Sequence, residues 1–457
     1  MAEQSFDLVV LGGGSGGYSA ALRAVSLGKT VALIEKDKLG GTCLHRGCIP
    51  TKALLHAAEI ADSAKESEKY GVKSVFEGIN MPGVNAYKDE VITSKWKGLQ
   101  GLLKAKGVTV VEGEGRLVDS RTIQVGDDRY VGANIVLATG SYSRSLPGLE
   151  IGGRVITSEQ ALQLDYVPNS VIILGGGVIG VEFASVWKSF GTDVTIIEGL
   201  PHLVPNEEES ISKQLERAYK KRGINYSLGI RFQGVTQDAN GVTVTLEDGQ
   251  TFSADLLLVA VGRGPSTAGM GFEEAGITID RGWVITNERL ETSLPGVYAV
   301  GDIVPGLQLA HRSYQHGIFV AEEIAGLNPI VVSDLYVPKI TYCEPEIASV
   351  GYSEAKAAEA FGADNITAYE YNLAGNGKSH ILGTSGSIKV VRQNDGPVLG
   401  VHMIGARVGE LLGEAQLVVN WEAYPEDIAP FIHAHPTQNE ALGEAFLKLA
   451  GKPLHAI

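Results

Sequence analysis

Phe6-Asp7-Leu8-Val9-Val10-Leu11 runs directly into Gly12-Gly13-Gly14-Ser15-Gly16-Gly17. A short apolar strand ends in a glycine cluster in which Gly12, Gly14 and Gly17 fall on the pattern G-x-G-x-x-G. The three glycines allow, in turn, a tight strand-to-helix turn, close approach of a pyrophosphate to the backbone, and close packing of helix on sheet. The anion would rest on the unsatisfied N–H groups at the helix start. The spacing predicts a helix over 19–27 and a second strand over 29–34. Glu35 closes that strand, where a carboxylate can accept from a ribose hydroxyl.

The unit recurs. Ser170-Val171-Ile172-Ile173-Leu174 leads into Gly175, Gly177 and Gly180, a helix to about residue 190, and a strand over 193–197 closed by Glu198. From Gly12 to Gly175, and from Glu35 to Glu198, is the same 163 residues. One G-x-G-x-x-G is weak; two in strand–turn–helix–strand context, each with its acid in place, are strong. The bland alternative is glycines that serve helix packing alone. Two dinucleotide sites suggest a cofactor pair, one held permanently and one exchanging. An acid at each second-strand end disfavours a 2′-phosphate, and Gly199-Leu200-Pro201-His202-Leu203 supplies no arginine to hold one. NAD is favoured over NADP.

The whole chain agrees with this start. Its 457 residues predict roughly three domains, and 58 glycines exceed the ordinary ~7%. A net charge of −15 lacks the basic footprint of a nucleic-acid binder. No apolar run reaches the ~18 residues of a membrane span. The N-terminus shows no signal or transit peptide, and nothing like a lipoyl domain precedes Phe6. Three cysteines are too few to staple a secreted protein of this size. The expectation is a cytoplasmic α/β protein that contacts neither nucleic acid nor membrane.

Cys43 and Cys48 follow the first unit, in Gly40-Gly41-Thr42-Cys43-Leu44-His45-Arg46-Gly47-Cys48-Ile49-Pro50-Thr51-Lys52. A closed metal site needs about four ligands. Only Cys343 and scattered histidines remain, so no metal is expected. On one regular helix, positions i and i+5 lie about 140° apart. A bond between them needs a distorted turn, for which Gly47 gives freedom. A short constrained loop suits a redox-active bond; two buried free thiols are the alternative.

The segment Gly40 to Lys52, the doubled fingerprint and His435-Pro436-Thr437-Gln438-Asn439-Glu440 together resemble the FAD-dependent pyridine nucleotide–disulfide oxidoreductases. Leu137-Ala138-Thr139-Gly140-Ser141, the Gly262-Arg263 turn and Tyr298-Ala299-Val300-Gly301-Asp302 match as well, so the resemblance spans the chain. It implies two Rossmann-like domains, for FAD and NAD, with a C-terminal α+β dimerisation domain. It divides the chain at 1–143 (FAD), 144–265 (NAD), 266–335 (completing the FAD site) and 336–457 (interface). FAD would be held tightly by Gly12, Gly14, Gly17 and Glu35, with Thr42, Lys52, Gly115, Thr139, Gly140, Ser141, Asp302 and Ala310. NAD would meet Gly175, Gly177, Gly180, Glu182, Glu198 and Gly262.

The implied activity is oxidation of protein-bound dihydrolipoamide by NAD⁺, for the lipoyl-bearing E2 subunits of 2-oxo acid dehydrogenase complexes. Cys43 would exchange with substrate and Cys48 would face the flavin. Lys52, paired with Glu182, would tune the flavin, and His435, oriented by Glu440, would act as base from the partner subunit of a homodimer. Thr437 to Glu440 also reads as a capping box for the last helix, and His433 as a packing or surface histidine. His45 and Arg46 depart from the commoner Asn-Val, adding positive charge expected to alter Cys43. Rivals are a glutathione or mercuric reductase-like enzyme, or a dinucleotide-binding subunit without turnover. Strands are expected at 347–350, 387–391 and 398–401, and helices near 408–421 and 438–449.

Overall fold

A computed structural model of the chain describes residues 2–456. Leu8, Val9 and Val10 are fully buried on consecutive positions, which requires cover on both sheet faces, as in a parallel α/β sheet. The strand Glu3–Leu11 accordingly lies between Val31–Glu35 and Asp128–Leu137, parallel to both. Thr109–Glu112 extends the sheet on one side, and an antiparallel meander through Gly115–Asp119 and Thr122–Val125 on the other. Much later in the chain, Val297–Ala299 returns to pair with Asp128–Leu137. The helix Ala310–Ile324 then covers the first fingerprint helix, Ser15–Ser26. The two approach so closely that a Cβ on Gly317 would lie 2.3 Å from the Gly16 carbonyl oxygen.

The second sheet repeats the plan. Strands Asn225–Leu228, Asp193–Glu198, Ser170–Leu174, Leu256–Val259 and Val155–Thr157 lie in that order, all parallel. Its fingerprint helix is Val178–Phe190. Gly12 and Gly175 turn with φ of 106° and 111°, conformations L side chains rarely adopt. A Cβ on Gly17 would lie 1.8 Å from Gly12 O, and one on Gly180 would lie 1.9 Å from Gly175 O. The two copies are therefore the same device at atomic detail.

One boundary differs from expectation. The first fingerprint helix starts at Ser15, not residue 19. Gly16 and Gly17 look like breakers, but their missing side chains let the first turn press on its neighbours, where a Cβ on Gly16 would meet Val300 at 2.9 Å.

The C-terminal sheet is antiparallel, ordered Lys339–Thr341, Glu346–Gly351, Val398–Gly405, Ser387–Gln393, Ile366–Asn372. Helices Val408–Asn420 and Glu440–Leu449 pack on it through Leu412, Ala415, Leu442 and Phe446. The strands and helices expected beyond residue 336 are all present. The fold is α/β, with two Rossmann-like units and a C-terminal α+β unit. Among the described residues no helix is long and apolar enough to cross a membrane.

Candidate active site

Cys43 lies in a short helix, Gly41–His45, and Cys48 opens the next, Cys48–Glu66. The chain breaks at Arg46 and Gly47 rather than distorting one continuous turn. The interruption falls at Gly47, where the sequence offered conformational freedom, and takes the form of a break between two helices. Both are free thiols, and each shifts the other. Cys48, reinforced by burial, holds the Cys43 thiol far above its ordinary range. Cys43 pulls Cys48 down; burial opposes it, and the Lys52 cation helps.

Lys52 sits one turn along the helix that Cys48 begins. Leu54 and Ala58 of this helix share a core with Phe183 and Trp187 of the second fingerprint helix. Burying Leu54 contributes about 1.5–3 kcal/mol, and the contact sets the distance at which Lys52 meets Glu182. Lys52 Nζ lies 2.9 and 2.8 Å from the two carboxylate oxygens. Glu182 is buried at 4% exposure, and Lys52 retains 32%. Burial works against the ammonium, but Glu182 outweighs it and holds Lys52 above the ordinary lysine range. Tyr342 closes the cluster: its N–H donates to Glu182 at 2.9 Å, and its ring lies 4.7 Å from Lys52 Nζ.

A cavity of about 740 Å³ opens beside these groups, within the ~300–1,000 Å³ usual for cofactor sites. Gly12, Gly14, Glu35, Thr42, Cys43, Cys48, Lys52, Gly115, Thr139, Gly140, Ser141, Asp302 and Ala310 all line it. Of the residues expected at a flavin, only Gly17 lies outside the lining, spent on packing against Gly12. A Cβ on Gly41 would lie 2.8 Å from Gly14 Cα, so this end is a backbone cradle, suited to a pyrophosphate. Further along, Ser141 Oγ donates to Asp302 at 2.6 Å, and Arg263 Nε donates to Ser141 Oγ at 2.8 Å. This polar chain suits a hydroxylated linker, so the residues fit a flavin dinucleotide.

The second set is divided. Glu182 lines the cavity, together with Val178, Ile179 and Phe183 of its helix, whereas Gly175, Gly177, Gly180, Glu198 and Gly262 lie outside it. Glu35 and Glu198 make the same bonds in the two copies. Glu35 accepts from Gly13 N at 2.7 Å and Asp37 N at 2.8 Å; Glu198 accepts from Gly176 N at 2.7 Å and Leu200 N at 2.8 Å. Each acid also organises its own glycine loop, a role the linear pattern does not reveal. The fold brings in one arginine that lies far off in sequence: the Arg231 stem is 3.7 Å from where a Cβ on Gly199 would sit.

The added charge near Cys43 is directed elsewhere. Arg46 pairs with Asp37. His45 Nε2 meets the Leu39 carbonyl at 2.9 Å with its ring edge-on to Trp96, and burial holds it below the ordinary histidine range. Lys52, not Arg46, is the cation acting on Cys43.

His435 Nδ1 lies 2.8 Å from Glu440 Oε1, and Glu440 Oε2 accepts from Thr437 N at 2.7 Å. Burial works against the charge on Glu440, but these two partners hold it below the ordinary carboxylate range. The expected capping box is half formed, because Thr437 Oγ1 donates back to Ala434 O. Glu440 therefore both steadies the turn and orients His435. The His435 side chain is 78% exposed and does not line the cavity.

The chain is similar to known proteins over nearly its whole length. Residues 6–317 match the family described as pyridine nucleotide-disulphide oxidoreductase, and residues 337–446 match its dimerisation domain. A dihydrolipoyl dehydrogenase of Bacillus subtilis is 40% identical, with 98% of this chain and 99% of that one covered. A mitochondrial dihydrolipoyl dehydrogenase of Arabidopsis thaliana is 37% identical over 98% of this chain and 91% of its own. Among solved structures, LpdA from Mycobacterium tuberculosis superposes with a TM-score of 0.90 at 26% identity, covering 98% of this chain and 100% of that one.

Proposed function

The chain belongs to the pyridine nucleotide-disulphide oxidoreductase family, and on that premise we propose that it oxidises protein-bound dihydrolipoamide with NAD⁺, as the E3 component of 2-oxo acid dehydrogenase complexes. The observation that carries this reading is the pair of free thiols, Cys43 and Cys48, at the cavity wall, with Lys52 held beside them by Glu182. That is the state left after a dithiol has reduced a Cys43–Cys48 disulfide.

The residues would work as follows. His435 takes a proton from a substrate thiol, and Glu440 keeps the imidazole oriented and stabilises its charge. The substrate thiolate attacks Cys43 Sγ; the Cys43–Cys48 bond breaks, and Cys48 leaves as thiolate. The second substrate thiol then attacks its own mixed disulfide. Cys43 departs with a proton, and the substrate leaves as a cyclic disulfide. FAD, held in the cavity by Gly12, Gly14, Glu35 and Asp302, would supply the two-electron redox chemistry that links the dithiol to NAD⁺. Lys52 places a fixed cation beside Cys48, and Glu182 keeps that cation from turning to solvent.

Glu198 supports NAD as the acceptor, and Arg231 is the residue that would have to meet a 2′-phosphate. The E2 subunit presents the dithiol, and a homodimer supplies His435 from the other chain. Steady-state assays with lipoamide, glutathione disulfide and Hg²⁺, each with NADH and with NADPH, test the assignment. NADH-linked turnover of lipoamide should exceed every other pairing by at least about 100-fold, the discrimination available to a site built around specific polar contacts. Preference for glutathione disulfide with NADPH, or no turnover of any, would overturn it.

A further inference from the structure

A second histidine–carboxylate pair lies behind the first. His433 Nε2 is 2.9 Å from Glu414 Oε1, with side chains only 12% and 26% exposed. The other Glu414 oxygen accepts from the side-chain amide of Asn439, which stands at the N-terminal boundary of the final helix, directly before Glu440. One carboxylate of the helix Val408–Asn420 thus holds both ends of segment 433–439, and His435 lies between them. The His433 ring lies against the first turns of the final helix, where a Cβ on Gly443 would sit 2.6 Å from Nδ1.

The charges around this segment are few. His433 faces Glu414 from one helix, Glu440 from the other, and the Phe431 carbonyl. Glu440 feels both His435 and His433. The Tyr371 hydroxyl, from the strand Ile366–Asn372, lies in its field and stays protonated because burial raises it. The bond to Glu414 raises His433 above the ordinary histidine range, against its burial. A packed amide could pin the segment as well. A half-buried ion pair costs desolvation and, in return, places compensated charge next to a base.

We propose that His433 and Glu414 are positioning residues, which hold the His435 segment in place and set the pH at which His435 works. The inference rests on His435 being the base. His433→Asn leaves the Glu414 anion uncompensated, which favours a proton on the neighbouring imidazole. Its kcat/KM for dihydrolipoamide should lose its acid limb at a pH higher by about half a unit. The double variant His433→Asn/Glu414→Gln removes both charges, so its limb should return to the wild-type position. In both variants kcat should stay about tenfold or more below wild type, from the loosened segment. FAD content and NADH oxidation by ferricyanide, which bypass the thiol half-reaction, report folding. If His433→Asn does not fold, His433→Gln replaces it with the same shift expected, and Glu414→Gln, in which burial strips the proton from the unpartnered His433, should keep the wild-type limb while losing kcat.

A His433 single variant whose limb does not move, or a double variant displaced as far as the single, would overturn the proposal. His435→Gln run in parallel separates the two readings. If it keeps dihydrolipoamide activity, the base assignment fails; if it is inactive while the limbs stay fixed, only the second pair's role fails.

Discussion

Cys43 is held above the ordinary thiol range and Cys48 below it. Each thiol's shift comes first from the other, burial penalises the anion on both, and the Lys52 cation favours it on both. A depressed Cys48 keeps its thiolate as pH falls below the usual thiol range and loses it only on further acidification. Lys52→Gln removes the cation, so the Cys48 thiolate should be lost at a pH about one unit higher. The long-wavelength absorbance of the two-electron-reduced enzyme, titrated against pH, measures this. An unchanged midpoint would mean that the Cys43 bond alone sets Cys48. Glu182, at 2.8 Å, is also the reason Lys52 keeps its place in the cavity wall.

The elements that build the site were largely legible before any coordinates. Runs such as Val9-Val10-Leu11 and Ile172-Ile173-Leu174, bounded by glycine, admit little besides buried strands, and the repeated spacing fixed where their helices and acids fall. The start of the first helix was misplaced because a glycine run reads as loop until its packing partners are known. Tyr342 on Glu182, Arg231 beside Gly199, Arg46 on Asp37 and Glu414 beneath the His435 segment were not legible. Each depends on elements distant in sequence or on the direction of one side chain, and no local pattern encodes that. The paired glycines also give a test of the division of labour. Gly180→Ala forces a Cβ to within 1.9 Å of Gly175 O, a clash costing about 1–3 kcal/mol. It should raise KM for NAD⁺ by tenfold or more while FAD content and dihydrolipoamide oxidation by ferricyanide persist. Gly17→Ala, at 1.8 Å from Gly12 O, should instead lower FAD content. The same defect in both variants would contradict separate sites.

At the scale of the molecule, the chain holds its redox thiols and its histidine–glutamate pair in different places. The thiols line the cavity between the first two units, while His435 projects from the C-terminal unit into solvent. Phe431 and Ile432, just ahead of it, are exposed apolar residues, a surface that favours cover by another protein face. Residues 337–446 match a dimerisation domain, and a two-fold pair is the commonest way such a face is covered. Two chains would then make two sites, each with thiols from one and base from the other. Mixing subunits tests this directly. Cys48→Ser and His435→Gln homodimers should each be inactive toward dihydrolipoamide. After dissociation and random reassociation, the mixture should recover about a quarter of wild-type activity, since half the dimers then carry one complete site of two. A mixture that stays inactive while its FAD remains bound, or a His435→Gln homodimer active by itself, would contradict the account.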